Sequence, residues 1–331
     1  GLVLTPPFHP ILPHHYSLEQ EALFEMMIDF YAPILRSNPG GQVGLWLPEA
    51  AYSREAMGSY LAATDRASAE VNGPSDLRQR THLLLDERQV AVTAPATGAW
   101  GSVNVGSEVP LIGRDHGLSS EFAFGATSPE SFVASVRSRP GDSHLVASDF
   151  ESLLANPTQG ERFEAIVDSL RSAGIEVTAP LPPDLRLEVQ VVDYSSWSDY
   201  DEYLHEGHTS DTRWTGLRRS DGAIVPRIHR GRRMSQLWKH VFTLATERVE
   251  TAVRRAVRSA LAERGVARPA EAMRRLAVAY GRHLFREHYL ACGVPAADID
   301  LRPTLDAITG GRLDREIAGR LSRVYVLMLL G

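Results

Sequence analysis

The feature that most constrains the fold is an alternation of short apolar runs with helical segments over the first 180 residues. The apolar runs predict strands at Leu2–Thr5, Val43–Leu47, His82–Leu85, Val90–Ala94, Leu111–Gly113, His144–Ser148 and Glu176–Ala179. Apolar residues at helical spacing predict helices over Ser17–Leu35, Arg54–Ala63, Pro129–Arg137 and Gly160–Ala173. Continuous apolar strands that alternate with helices indicate an α/β fold built on a parallel sheet.

The pattern changes after residue 183. Residues 184–233 are polar and rich in Asp, Ser, Tyr, Arg and Trp, which predicts irregular loops. From Met234 the apolar residues recur at helical spacing and predict one long helix, followed by helices over Ala270–Cys292 and Leu313–Leu330. We therefore expect an α/β core at 1–183, irregular loops at 184–233 and a C-terminal helical domain at 234–331.

Charge and composition argue against several classes of partner. A formal net charge of −6 at pH 7 gives no reason to expect nucleic acid. No apolar run approaches the roughly 18 residues that a membrane helix needs, so we expect no membrane contact. The single cysteine, Cys292, excludes an internal disulfide and favours the cytoplasm. We find no phosphate-binding glycine loop and no histidine pair at ligand spacing, and therefore expect no cofactor and no metal.

Two acids stand directly after predicted strands. Glu49 follows Val43–Leu47 and a proline, and Asp149 follows His144–Ser148. In parallel barrels the active site gathers at the carboxyl ends of the strands. Two carboxylates in that position are what glycoside hydrolysis requires, one as the nucleophile and one as the acid and base. An alternative remains open on this pattern alone, because Glu49 is also well placed to cap the helix that follows it.

Several motifs resemble glycoside hydrolase family 57, which contains α-amylases, 4-α-glucanotransferases and glucan branching enzymes. "LTPPFHPILP" at residues 4–13 is similar to the "TPxxHPILP" segment of that family, and "GLWLPEAAYS" at 44–53 is similar to its "GxWLPE" strand. "IGRDHGLSSEFAF", "HLVASDFESL" and "YSSWSD" follow in the same order as related segments of the family. The resemblance covers residues 1 to about 200. It implies a (β/α)7-type barrel with a C-terminal α-helical bundle, and loops at 184–233 that face the substrate.

The resemblance also implies roles for particular residues. Glu49 matches the nucleophile and Asp149 matches the acid and base of a retaining reaction on an α-glucan or maltooligosaccharide substrate. The implied substrate-binding residues are His9, Trp46, Arg114, Asp115, Glu151 and Trp197, with the role of Arg114 and Asp115 uncertain in the family.

Departures from the family pattern keep other functions open. The chain begins at what would be the second strand, so the expected barrel lacks its first strand, and the glycine and histidine that often follow the acid/base are absent after Asp149. The first alternative is therefore a catalytically lapsed relative that binds glycan or acts as a subunit. A metal-dependent deacetylase on a related barrel is a further alternative, although we find no suitable histidine pair.

Overall fold

A computed structural model describes most of the chain. The described residues are 2–70, 76–90, 100–104, 108–125, 127–141, 143–148, 157–178, 189–197, 223–224, 227–229 and 232–311, with 316, 319, 320 and 323. Asp149, Glu151, nearly all of the predicted strand at Val90–Ala94 and most of the predicted helix at Leu313–Leu330 lie outside them. The same holds for most of the expected loop region 184–233.

The strands form two sheets. They are β1 (Leu2–Leu4), β2 (Val43–Trp46), β3 (Thr81–Asp86), β4 (Trp100–Asn104), β5 (Glu108–Arg114), β6 (Arg227–His229) and β7 (Arg232–Met234). The larger sheet has the order β1-β2-β3-β5-β4, in which β3 pairs in parallel with both β2 and β5. The smaller sheet is an antiparallel pair of β6 and β7. The predicted α/β fold with parallel strands is confirmed, and its closure into a (β/α)7 barrel stays a prediction.

Three short helical turns accompany the α-helices, at Leu12–His14, Pro48–Ala50 and Glu87–Gln89. The first α-helices are α1 (Ser17–Ser37), α2 (Arg54–Glu70), α3 (Leu77–Arg80), α4 (His116–Phe124), α5 (Pro129–Ser138) and α6 (Pro157–Ser172). The later ones are α7 (Leu237–Glu263), α8 (Pro269–Leu284), α9 (Arg286–Ala291), α10 (Ala296–Ile299) and α11 (Leu301–Thr309). The four helices predicted in the first 180 residues and the long helix after Met234 are confirmed.

The chain divides into two compact units. The first comprises Gly1–Val3, Gln42–Trp46 and Thr81–Val192, and the second comprises Leu4–Gly41, Leu47–Arg80 and Asp193–Gly331. In the first unit β3 is buried along its whole length at the middle of the sheet. Next to it, a Cβ on Gly44 would lie 3.1 Å from Leu84 Cδ1 and 3.2 Å from Val3 Cγ2, so a larger residue would have to push these side chains aside.

The second unit is organised around α1, which packs against α2 and α8. The rings of Phe24 and Tyr60 meet edge to face at 5.3 Å between centroids. Carboxylates on α1 also bind arginines of other helices, in the pairs Glu19–Arg254 at 2.7 Å, Glu25–Arg66 at 2.6 Å and Asp29–Arg282 at 2.7 Å. These pairs compensate the cost of burying charge on a helix that lies inside the unit.

Three sequence predictions need correction. The expected single helix at Ala270–Cys292 is broken at Phe285, whose backbone leaves helical geometry at ψ 26° while its ring packs on Phe8 and Phe30. The expected strand at His144–Ser148 is reduced to one parallel bridge between Leu145 and Arg114. At residues 176–178, the described part of the strand predicted for Glu176–Ala179, the chain is irregular.

Three of the described strands were missed: β4, and the antiparallel pair of β6 and β7, which begins inside the region 184–233 where irregular loops were expected. The antiparallel β4 pairs with β5 over the register Trp100↔Ile112 to Asn104↔Glu108. The Gly-Ser pair before Glu108 is a turn signal that would have indicated this hairpin.

Within the described ranges, no helix is both long enough and apolar enough to span a bilayer.

Candidate active site

Glu49 occupies a strained turn. The chain leaves β2 at Trp46 and enters a single helical turn at Pro48–Ala50, in which Glu49 has φ 57° and Ala50 has φ 47°. Non-glycine residues pay about 1–2 kcal/mol for this left-handed conformation. Such strain persists only where the surroundings enforce it, and it is concentrated at functional sites.

The strained residues of the described chain belong to a few neighbouring segments. Non-glycine residues with positive φ in the part that the structure describes are Phe8, His9, Glu49, Ala50 and Tyr194. His9 lies against the Glu49 carboxylate, and Tyr194 precedes a segment that pairs with the chain just after Glu49. Strained residues thus occur in three separate pieces of sequence that meet at the Glu49 turn or at the residues next to it.

The alternative role of Glu49 as a helix cap is wrong. Helix α2 begins at Arg54, and the Ser53 hydroxyl accepts a hydrogen bond from the backbone N–H of Ala56 at 3.1 Å. This is the bond that an N-cap serine makes to the third residue of a helix. The position that Glu49 was expected to fill is thus occupied by Ser53.

The two carboxylate oxygens of Glu49 have different neighbours. The indole Nε1 of Trp197 donates a hydrogen bond to Oε2 at 2.6 Å. Oε1 lies 3.6 Å from Nε2 of His9, which is within ion-pair range but longer than a hydrogen bond. The side chain of Glu49 is 14% exposed and that of His9 is 64% exposed. One oxygen is therefore held by a buried donor, and the other lies toward an exposed histidine.

Backbone pairing carries Trp197 to this carboxylate across 148 residues of sequence. Tyr52 and Ser195 exchange two backbone hydrogen bonds at 2.8 and 3.1 Å, and the Trp197 N–H donates to the Glu49 carbonyl at 3.3 Å. Asp193 accepts from the backbone N–H of Arg54 at 2.8 Å. The segment that carries Trp197 is thus fastened alongside the Glu49 turn.

A second polar cluster lies in the unit that contains the sheet, at the end of β5. Arg114, predicted as a substrate contact, is buried and donates to Asp86 Oδ2 and to the carbonyl of Ala147, each at 2.7 Å. Burial alone would raise the pKa of Asp86. Hydrogen bonds from His116 and Arg88, with the charges of Arg88 and Arg114, instead bring that pKa below its ordinary value.

Asp115, the second residue of the predicted pair, is also buried. Its Oδ1 accepts from the backbone N–H of Leu118 at 2.8 Å and so caps α4, and its Oδ2 lies 3.4 Å from Nδ1 of His144. Its own N–H donates to the carbonyl of Leu145 at 2.8 Å, and the Ser119 hydroxyl accepts from the Ala147 N–H at 3.1 Å. Groups at the end of β5 and on α4 therefore hold the segment that leads to Asp149, where a strand ladder was expected.

The structure brings together only part of the predicted site. It places Glu49, His9 and Trp197 in contact, and it leaves the partly exposed Trp46 at the end of β2. Sequence reasoning missed Asp86, although this residue also ends a strand and could have been found by the argument used for Glu49 and Asp149. Among the described residues, no three His, Cys, Asp or Glu side chains group as metal ligands would.

Comparison with known proteins identifies the relatives of the chain. The model of the N-terminal domain of maltose-forming alpha-amylase-like proteins matches residues 1–182, and the model of their C-terminal domain matches 213–331. A solved structure, described as an exo-type maltose-forming amylase from Pyrococcus sp. ST04, is 33% identical with a TM-score of 0.81. That match covers 99% of this chain but 56% of the solved one. No curated protein sequence matches.

These matches, with the α/β fold and the strained carboxylate, place the chain in the amylase-like class of proteins. More particularly, the chain belongs to the maltose-forming alpha-amylase-like family, whose N-terminal domain model alone spans more than half of its length. The amylase-like part of the resemblance read from the sequence is thereby confirmed. Its narrower assignment to glycoside hydrolase family 57 stays a prediction.

Proposed function

We propose that the chain acts on α-1,4-glucans as a retaining glycoside hydrolase or glucanotransferase of the glycoside hydrolase family 57 type, on a (β/α)7 barrel. Glu49 is the nucleophile and Asp149 is the acid and base. The observation that carries the proposal is the Glu49 carboxylate, held on a strained turn by an indole N–H with its other oxygen toward an exposed histidine. Membership of an amylase-like family supports the choice of substrate.

The reaction proceeds in two displacements. Glu49 attacks the anomeric carbon while the glycosidic C–O bond breaks, and the leaving oxygen takes that bond's electron pair together with the proton of Asp149. Water, or a sugar hydroxyl in transfer, then attacks the same carbon as Asp149 takes its proton. The Glu49–carbon bond breaks and its electron pair returns to the carboxylate. The two inversions at the anomeric carbon give net retention of the α configuration. Retaining enzymes hold their two carboxyl groups about 5–5.5 Å apart.

The substrate-binding roles are proposed for the residues that the family resemblance indicated. His9 is exposed beside Glu49, where an imidazole can donate to a sugar hydroxyl. The partly exposed Trp46 offers an apolar ring face of the kind that packs on a pyranose. Arg114, Asp115 and Glu151 remain proposed substrate contacts on the resemblance alone. The solved relative is described as exo-type and maltose-forming, and we propose maltose as a product here too.

The test is Glu49→Gln, which keeps the size of the side chain and removes its charge. We expect kcat on amylose or maltooligosaccharides to fall by about a thousandfold or more, as for loss of a catalytic nucleophile in other enzymes. The matched control is Glu164→Gln on the exposed surface of α6, which should leave kcat unchanged. A fluorinated maltosyl fluoride should label Glu49, detected by peptide mass spectrometry. Full activity in Glu49→Gln would refute the assignment, and binding of glucan without turnover in the wild type would support the lapsed-relative alternative.

A further inference from the structure

The Trp197 side chain has a contact that its predicted role does not explain. As a substrate-side aromatic it should present its ring face to the open site, yet the residue is only 8% exposed. Its polar edge is directed at the carboxylate instead, with Nε1 2.6 Å from Oε2 of Glu49. The contact that Trp197 makes at the site is therefore the hydrogen bond of its N–H, and its ring face is not accessible to a sugar.

We propose that Trp197 is a positioning residue that fixes the orientation of the Glu49 carboxylate, and that Oε1 is the oxygen that bonds to the sugar. This inference rests on the proposed function, because it assigns the roles of the two oxygens within the same nucleophile. It makes the indole N–H a part of the catalytic machinery that acts through Glu49 without touching the substrate.

The first argument is the rigidity of the donor. The backbone N–H of Trp197 donates to the carbonyl of Glu49, so the two residues are joined at the main chain as well as at the side chains. The preceding bonds between Ser195 and Tyr52 fasten the same segment. The terminal torsion of a glutamate is broad and roughly two-fold, and a fixed donor on one oxygen selects one orientation of the carboxylate plane.

The second argument is the chemistry of the donor. An indole N–H only donates, so it can orient a carboxylate without competing for protons at any pH at which the enzyme works. A bond from a donor to an ionised acceptor is also among the stronger hydrogen bonds in proteins. Trp197 therefore holds the nucleophile in one orientation of its carboxylate plane.

The third argument is the difference between the two sides of the carboxylate. Oε2 points to the buried indole, whereas Oε1 points to His9, whose side chain is 64% exposed. A sugar ring must approach from the open side, because the buried side is filled by Trp197. The oxygen toward His9 is therefore the one placed to attack the anomeric carbon.

The first test is Trp197→Phe, which removes the N–H and keeps an aromatic ring. We expect kcat to fall by about tenfold to a hundredfold, the rate equivalent of one hydrogen bond to a charged group. KM should stay within about twofold, because the interaction serves the transition state and not ground-state binding. Trp238→Phe is the matched control, since Trp238 lies on α7 with 66% of its surface exposed, and it should leave both constants unchanged.

The second test replaces only the N–H group of the Trp197 indole. Replacing Trp197 with 3-benzothienylalanine substitutes sulfur for the indole N–H at nearly constant shape, so folding is preserved even if the phenylalanine variant is unstable. We expect the same loss in kcat, and slower labelling of Glu49 by the fluorinated maltosyl fluoride. Wild-type kcat and labelling rate in this variant would overturn the positioning role. The proposed function fails separately, if Glu49→Gln retains activity.

Discussion

Replacing Arg114 with methionine should destabilise the unit that contains the sheet, because it breaks a buried network. Methionine keeps the unbranched chain of Arg114 and removes its guanidinium group. That group donates to Asp86 Oδ2 and to the carbonyl of Ala147, at 2.7 Å each, and Asp86 is fully buried. The substitution leaves the Asp86 carboxylate with bonds from the side chain and the backbone N–H of Arg88, at 2.8 and 3.1 Å, and a longer contact to His116 at 3.4 Å.

The expected loss is about 3 kcal/mol. Breaking a buried ion pair by removing one partner costs about 3–5 kcal/mol, because the remaining charge is uncompensated. The two remaining partners of Asp86 reduce this cost, and the lost bond to the Ala147 carbonyl adds about 1 kcal/mol to it. The value to measure is the free energy of unfolding from urea titration at pH 7.

A pH titration checks the electrostatic origin of this loss. The lowered pKa of Asp86 gives stability that is present above the pKa of an unfolded aspartate, about 3.9, and that is lost as pH falls through the lower folded pKa. The Arg114→Met variant should therefore lose less stability than the wild type as pH falls below about 4.

The control is a surface ion pair. Arg171 and Asp168 on α6 lie 3.7 Å apart with both side chains largely exposed, so Arg171→Met should change the free energy of unfolding by less than about 0.5 kcal/mol. If Arg114→Met also loses less than about 1 kcal/mol, the argument from buried charge is refuted.

Two further predictions concern other buried groups. Burial lowers the pKa of His82 to about 4, so the unfolded chain binds a proton below about pH 6.5 that the folded chain binds only near pH 4. Between these pH values the free energy of unfolding should therefore fall less steeply in His82→Leu than in the wild type, by up to about 1.4 kcal/mol per pH unit. Urea titrations at several pH values that show the same dependence on pH in both proteins would contradict this. Arg254→Met should cost about 2–3 kcal/mol, because it leaves the nearly buried Glu19 carboxylate without its partner at 2.7 Å and removes a cation from the Tyr16 ring. A melting temperature equal to that of the wild type would show that this pair contributes nothing.

The parts of the fold that sequence predicted well are those that depend on local burial. β2, β3 and β5 are apolar runs inside a sheet, and their composition alone indicated them. The segment at His144–Ser148 has a similar composition, but there Arg114 and Ser119 bind the backbone of Ala147 in place of a neighbouring strand. Composition does not distinguish backbone groups that a strand satisfies from backbone groups that side chains satisfy.

In the candidate site too, the local sequence indicated the residues but not their contacts. The motif around Glu49 identified a carboxylate after a strand, and a resemblance suggested His9 and Trp197 as substrate-binding residues. It did not indicate that the Trp197 indole would bind the carboxylate itself, because that contact joins positions 148 residues apart. Such a contact depends on the backbone pairing of Tyr52 with Ser195, which no local pattern encodes.

The sequence by itself determined the class of fold, the position of Glu49 after an apolar strand and the kinship with amylase-like proteins, because each depends on residues near one another in the chain. Only the tertiary structure decided that Ser53 and not Glu49 caps α2, that Arg114 is buried against Asp86, and that one oxygen of Glu49 is held by Trp197. These are properties of side chains that meet across long loops, where hydrogen-bond geometry and burial are set by packing and not by the local pattern.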